Sequence, residues 1–340
     1  MATSSATSAA PSPPQGRRLI AVIVLIPVFV TLALWAFAWP ASRIAPRDLP
    51  IGVAGPAAAA EGVQKQLQQK PGAFDIHRYA DEAAAREAIE TRTVYGAVVV
   101  TQQGPKLLTA SAASTVVAQL LQQAVTAGSP KGTQVQITDV VAAPAEDPRG
   151  AVLGSSLLPM TLAGIAAGAV ITLLGLRGTR GVLALLGSAG LVGIVAASLT
   201  HSWLGALTGN WWAEAGALGL TALAVGATVA GLAAVIGPAG IGVGALLSMM
   251  VGNAFSGMTS APELLPEPAG LIGQWLAPGA GGSLVRSVAF FDGAGALRPL
   301  ITLTVWVIAG LAAVLLARPR RPASASASLP RQAPEAVTVG

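Results

Sequence analysis

The sequence predicts an α-helical polytopic membrane protein with six transmembrane helices and an extracellular α+β domain between the first and second. Three observations carry this. Of the 340 residues, 53% are hydrophobic and only 10% are charged, whereas a water-soluble domain usually carries about 25% charged residues. Five long stretches, residues 19–39, 151–176, 181–213, 215–262 and 299–317, hold no Asp, Glu, Lys or Arg. Residues 46–145 depart from this pattern: they hold about half of all the charges and alternate between strand and helix periodicity.

A bilayer core about 30 Å thick takes about 20 apolar residues per helix. The first, second and last stretches each fit one crossing, and 181–213 fits one with a polar, Trp-rich end. The stretch 215–262 is too long for one. It breaks at Gly237-Pro238-Ala239-Gly240, where proline lacks a donor and glycine favours a turn. The spans are therefore 19–39, 154–176, 182–200, 215–236, 240–258 and 299–317. Ala36-Phe37-Ala38 has the small-x-small form of a cleavage site, but the apolar run exceeds a signal h-region, so the first helix reads as an uncleaved anchor.

Six crossings place both termini on one face. Eight arginines, Arg177 and Arg180 among them, fall there against the single acid Glu335. The short segments of the opposite face carry Arg286 and Arg298 against Glu214, Glu263, Glu267 and Asp292, and residues 41–150 carry ten basic and ten acidic side chains. Basic residues mark cytoplasmic helix ends, so both termini are expected inside and residues 41–150 outside. The net charge of +5 is an orientation signal, and no nucleic-acid partner is expected. Trp35, Trp39, Trp203, Trp211 and Trp212 suit the outer headgroup level. The expected division is a disordered tail 1–16, a membrane helix 17–40, the outer domain 41–150, a membrane domain 151–317 and a disordered tail 318–340. The tails are rich in Ala, Ser, Pro and Thr.

Within the outer domain, LPIGVAG at 49–55 reads as a strand ending in a Gly-Pro turn, and 57–69 as a helix stopped by Lys70-Pro71-Gly72. Residues 74–79 form a weak strand. Asp81 caps a helix through Glu90, with Glu82 at the positive end of its dipole. YGAVVV at 95–100 is a buried strand, and Gln102-Gln103-Gly104-Pro105 turns into another over 106–110. Ser114 caps a helix with Val117, Leu121 and Val125 recurring on one face. Val135, Ile137 and Val140-Val141 suggest a last strand, giving the order βαβαββαβ. Glu146-Asp147 reads as a solvated linker.

Catalytic patterns are missing. Cysteine is absent and only His77 and His201 are present, which excludes disulfides, Cys-ligated metals and thiol nucleophiles. No P-loop, Gly-x-Ser-x-Gly elbow or His-Glu-x-x-His helix occurs. No metal, cofactor or enzymatic activity is expected, and no ionisable group sits mid-membrane, which weighs against a proton-driven carrier. Gly164 with Gly168, and Gly240 with Gly244, have the spacing that lets membrane helices approach closely. The outer loop 257–298 holds two apolar pieces, 271–276 and 284–291, too short to span and bounded by Gly or Pro; it reads as re-entrant-like.

Several stretches together carry a resemblance. LPIGVAGP after the first helix, FDIHRYADEAAAREAIETRTVYGAVVV, NAFSGMTSAPELLP, WLAPGAGGSLVRSVAFFDG and a closing helix with Trp306 and Gly310 resemble the ABC-2 type permease superfamily. They are most similar to phage-infection-protein-like bacterial membrane proteins with a large extracellular domain. The resemblance implies a dimeric permease of the bacterial plasma membrane that exports a hydrophobic or amphipathic compound with a separate nucleotide-binding ATPase. The link between the second and third helices is short (LRGTRG, residues 176–181), and its Arg177 and Arg180 are the candidate ATPase contact. The alternative is a non-transporting scaffold or receptor whose outer domain binds an envelope component or a protein.

Overall fold

The computed structural model describes residues 15–128 and 135–317. The expected tails at 1–14 and 318–340 lie outside the described residues, while Gln15 and Gly16 already belong to the first helix.

That helix, α1 (Gln15–Ala41), touches the rest of the molecule only near its C-terminal end. Trp35 stacks on Trp39 at 5.3 Å, and Trp39 meets Phe255 edge-on at 6.3 Å. Leu25, Phe29, Leu32 and their neighbours stay exposed. A water-soluble surface does not carry an apolar rod of this length; lipid does.

The chain then builds β1 (Leu49–Ala54), α2 (Ala57–Gln68), β2 (Phe74–Tyr79), α3 (Glu82–Glu90), β3 (Gly96–Thr101), β4 (Gly104–Thr109), α4 (Thr115–Gly128) and β5 (Gln136–Asp139). The sheet order is β2-β1-β3-β4-β5, with β3–β4 the antiparallel pair. Side chains alternate across the pleat. Leu49, Ile51, Val98 and Leu107 face α2 and α4; Ala54, Ala97, Val99 and Leu108 face α3. Asp81 caps α3 by accepting from the Ala84 N–H at 2.9 Å, and Lys106 of β4 donates to Glu82 at 2.6 Å. That ammonium holds the Glu82 carboxyl below the usual carboxylate range.

Asp147 departs from its reading as solvated linker. It is buried, and its two carboxylate oxygens accept the N–H groups of Ala151 and Val152, each at 2.8 Å. A helix start leaves donors orphaned, and here the acid reaches forward to satisfy two of them.

Among the described residues, helices α5 (Ala151–Leu173), α6 (Gly178–Ala197, continued as π-helix Ser198–Trp203), α7 (Trp211–Ile236) and α11 (Leu297–Leu316) are, with α1, the five long and apolar enough to cross a membrane. The fifth expected span is shorter. It consists of α8 (Ala239–Leu246), with eight residues, and a π-helical continuation of seven, Leu247–Asn253. At about 1.5 Å per residue this covers roughly 22 Å, less than a bilayer core. Helix α7 is the centre of the bundle: 72% of its most apolar stretch is buried, and α5, α6, α8 and α11 all pack on it. The loop before α11 folds into α9 (Ala269–Trp275) and α10 (Ala277–Phe290).

Candidate functional site

Helix α10 links bundle to domain. At its start Gly281 lies so close to Thr221 of α7 that a Cβ would sit 2.3 Å from the threonine methyl. Thr221 is about 15 Å along α7 from its first residue, at a helical rise of about 1.5 Å per residue, so α10 begins deep in the bundle. Just past its end, Phe291 is buried in the α3-side core of the domain with Ala88, Ile89 and Val94. The preceding loop does the same on the other face, where Ala261 and Leu264 join Leu49, Ile51 and Leu107. The domain therefore completes both of its cores with residues more than a hundred positions away.

Polar groups line this junction. Arg92, at the end of α3, donates through Nη1 to the Ser283 carbonyl at 3.1 Å and to the Ser287 hydroxyl. Its guanidinium lies 5.3 Å over the Phe291 ring. The Tyr95 hydroxyl donates to Glu263 Oε2 at 2.8 Å. Arg286, buried on α10, donates to the Met258 carbonyl at 3.0 Å, while its Nε has no hydrogen-bond partner among the described residues. Burial lowers Arg92 and raises Tyr95. Arg47, just before β1, adds a hydrogen bond to the Leu264 carbonyl at 2.9 Å. The hairpin itself is pinned by Gln274, which donates to the Ser256 carbonyl and accepts from Ser283. The segment from Ala261 to Phe291 thus ties the bundle to both faces of the sheet.

The sequence-level candidates lie elsewhere. A Cβ on Gly164 would sit 2.6 Å from the Ala222 carbonyl oxygen, and one on Gly168 2.6 Å from that of Gly226. On α8, Gly240 abuts Leu232 and Gly244 abuts Val229, so all four glycines press against α7. The pairings set directions: α5 runs parallel to α7 and α8 antiparallel. Arg177, which precedes α6, and Arg180, in its first turn, are exposed. His77 Nε2 lies 3.0 Å from Asp75 on strand β2, at the sheet edge. Among the described residues no group of three His, Asp or Glu converges to hold a metal ion.

One pair went unread in the sequence. Glu214, fully buried in the first turn of α7, accepts the Gly209 N–H at 2.8 Å and meets His201 Nδ1 at 2.8 Å. The signal was present, since these are the only ionisable groups between residues 181 and 262, and buried charges seek one another.

Fold and junction define the class: a multi-pass membrane protein with an α+β module inserted after its first helix and seated on the helical bundle. Residues 17–146, less than half of the chain, match the family described as ABC-2 family transporter protein. This match supports the ABC-2 type permease superfamily. Such permeases are the membrane component of transporters; they sit in lipid, dimerise and work with a nucleotide-binding ATPase. No curated protein and no solved structure matches the chain.

Proposed function

We propose that the chain is the permease of an exporter that moves a hydrophobic or amphipathic compound across a bacterial plasma membrane, driven by an ATPase supplied in trans. The observation that supports this most is the family match across α1 and the α+β domain. In this reading α1, α5, α6, α7, α8 with its π-helical continuation, and α11 cross the bilayer. The hairpin α9–α10 enters from outside, both termini are cytoplasmic, and residues 41–150 are extracellular. The arginine-rich face supports that orientation. So do the exposed Trp35, Trp203, Trp212 and Trp275, which suit the headgroup level of the domain side.

The ATPase contact falls at the turn between α5, ending at Leu173, and α6, starting at Gly178. A turn this short offers charge, not a helix to insert, and Arg177 and Arg180 supply it. The exposed flanks of α1 leave room for a second copy of the chain. Gly164, Gly168, Gly240 and Gly244 hold the bundle around α7 within one protomer.

Purified from native membranes in mild detergent, the protein is expected to bring down a nucleotide-binding subunit. The double variant Arg177→Glu, Arg180→Glu is expected to lower that capture at least about tenfold, equivalent to ~1.4 kcal/mol. Recovery with no ATPase in any detergent would overturn the transport reading in favour of a scaffold or receptor. Undiminished capture by the double variant would remove the two arginines from the contact.

A further inference from the structure

The two faces of the sheet are filled differently. On one, α3 brings Ala85, Ala88 and Ile89 against the strands, and Phe291 plugs the remainder. On the other, α2 and α4 flank the sheet and leave a cavity of about 880 Å³ between them. Protein cores are packed as densely as organic crystals, so a groove of this size, open to solvent between two helices, is room that the domain itself does not fill. It falls in the range of about 300–1,000 Å³ that small-molecule sites occupy. Its floor and walls are apolar and mostly aliphatic, from Ile51, Val98 and Leu107 on the strands, with Phe74 beside them, to Val63, Leu67 and Leu120 on the helices. The three helix residues stay only half-buried, so the domain closes without covering them. Small-molecule sites are concave and mostly apolar with a few polar groups, and this groove has that character.

The rim gives the guest its polar end. The polar side chains of the lining are Gln66, Gln69, Lys70 and Gln123, all exposed. Among the described residues of the lining Lys70 is the one that is charged, no acid accompanies it, and its ammonium makes no ion pair. A mostly aliphatic interior with a cation at the mouth suits an aliphatic chain with one negative end.

We propose that the α+β domain binds a long-chain fatty acid between α2 and α4, with its carboxylate at Lys70. This site is independent of the transport reading, because its occupancy is measured without an ATPase. The test uses the full chain in phosphatidylcholine nanodiscs with palmitic acid carrying a photoreactive diazirine, followed by peptide mapping. Label is expected in peptides from residues 49–128. Leu120→Trp, which places an indole in the cavity, is expected to lower that label at least about tenfold. Lys70→Glu, at an exposed position that does not endanger the fold, is expected to lower it roughly threefold, the scale of a rim charge, with Lys70→Arg restoring it. Label confined to the membrane helices, or domain label unchanged in both Leu120→Trp and Lys70→Glu, would overturn the site. Equal labelling by palmitic acid and the corresponding alcohol, or no response to Lys70→Glu, would overturn the assignment of a carboxylate.

Discussion

Arg92 holds a left-handed backbone, φ +60°, where α3 ends. That conformation costs a non-glycine residue about 1–2 kcal/mol, and helices usually place glycine there. The side chain accounts for the exception, because it reaches Ser283, Ser287 and Phe291 on the far side of the junction. Tyr95, three residues on, is the other tie. Burial first, and then the Glu263 carboxylate, raise its pKa above the ordinary phenol value, while Arg286 and Arg92 pull the other way. A phenol raised in the folded state keeps its proton more tightly than in the unfolded chain. Its contribution to stability is therefore complete below about pH 10, the unfolded value, and is lost as pH rises toward and through the folded value. Thermal melts in detergent are expected to fall more steeply between roughly pH 10 and 11 for wild type than for Tyr95→Phe. Parallel curves would show that the phenol ionises freely in the folded protein. Near neutral pH the same variant is expected to cost about 1.5–3 kcal/mol, the range for a hydrogen bond to a charged group. None of this was legible in the chain: no spacing rule connects Tyr95 to Glu263, and only the fold brings them together.

Among the elements, α10 carries the greatest consequence for its length. Its N-terminal turns pack on α7 and its C-terminal end is anchored by Phe291 in the domain core. Phe291→Ala is expected to cost about 3–5 kcal/mol, as for a large aromatic removed from a core. The loss should fall on the domain: hydrogen exchange in β3 and α3 should quicken while α7 stays protected. Unchanged exchange in β3 would mean that the domain core stands without α10. The expectation for this region was two apolar fragments in a loop, and the reason is physical. Pro278, Gly279, Gly281 and Gly282 all argue against helix by propensity, and Pro278 is accommodated because it lies in the first turn of α10, where no donor is missed. The glycines are selected by close approach to Gly273, Thr221 and Met258, a tertiary cause that local patterning cannot express. Where the cause is local the sequence was transparent. The strand and helix order of the domain follows from period-2 and period-3.6 runs, and the Asp81 cap from an acid placed one residue before an amphipathic segment. Asp147 looked like its mirror case and was misread, because Pro148 and Gly150 around it have the composition of a linker.

For the whole molecule the open variable is the number of crossings, and α8 decides it. If α8 with its π-helical continuation spans the bilayer, the turn at Gly237-Pro238 faces the cytoplasm and the start of α11 faces outside. Packing supports this path. Gly240 lies beside Leu232 near the far end of α7, Gly244 beside Val229, and Gly252 beside Pro278 of α10, so the segment climbs back toward the domain. A helix about 22 Å long reaches the outer boundary only with help, and α9 and α10 surround its upper end to provide it. The absence of cysteine makes the question directly measurable, because every introduced thiol is unique. Gln103→Cys in the β3–β4 turn, Thr179→Cys at the start of α6, Ala239→Cys at the start of α8 and Arg298→Cys in α11 are all exposed positions. In intact cells a membrane-impermeant maleimide is expected to label positions 103 and 298 and to spare 179 and 239 until the membrane is opened. Labelling of 239 from outside would invert the bundle. Protection of 298 together with labelling of 103 would remove the α8 crossing and leave five spans, with the two chain ends on opposite sides and the arginine asymmetry without its simple cause. The pattern of four labels is thus the point at which charge, helix length and packing direction must agree.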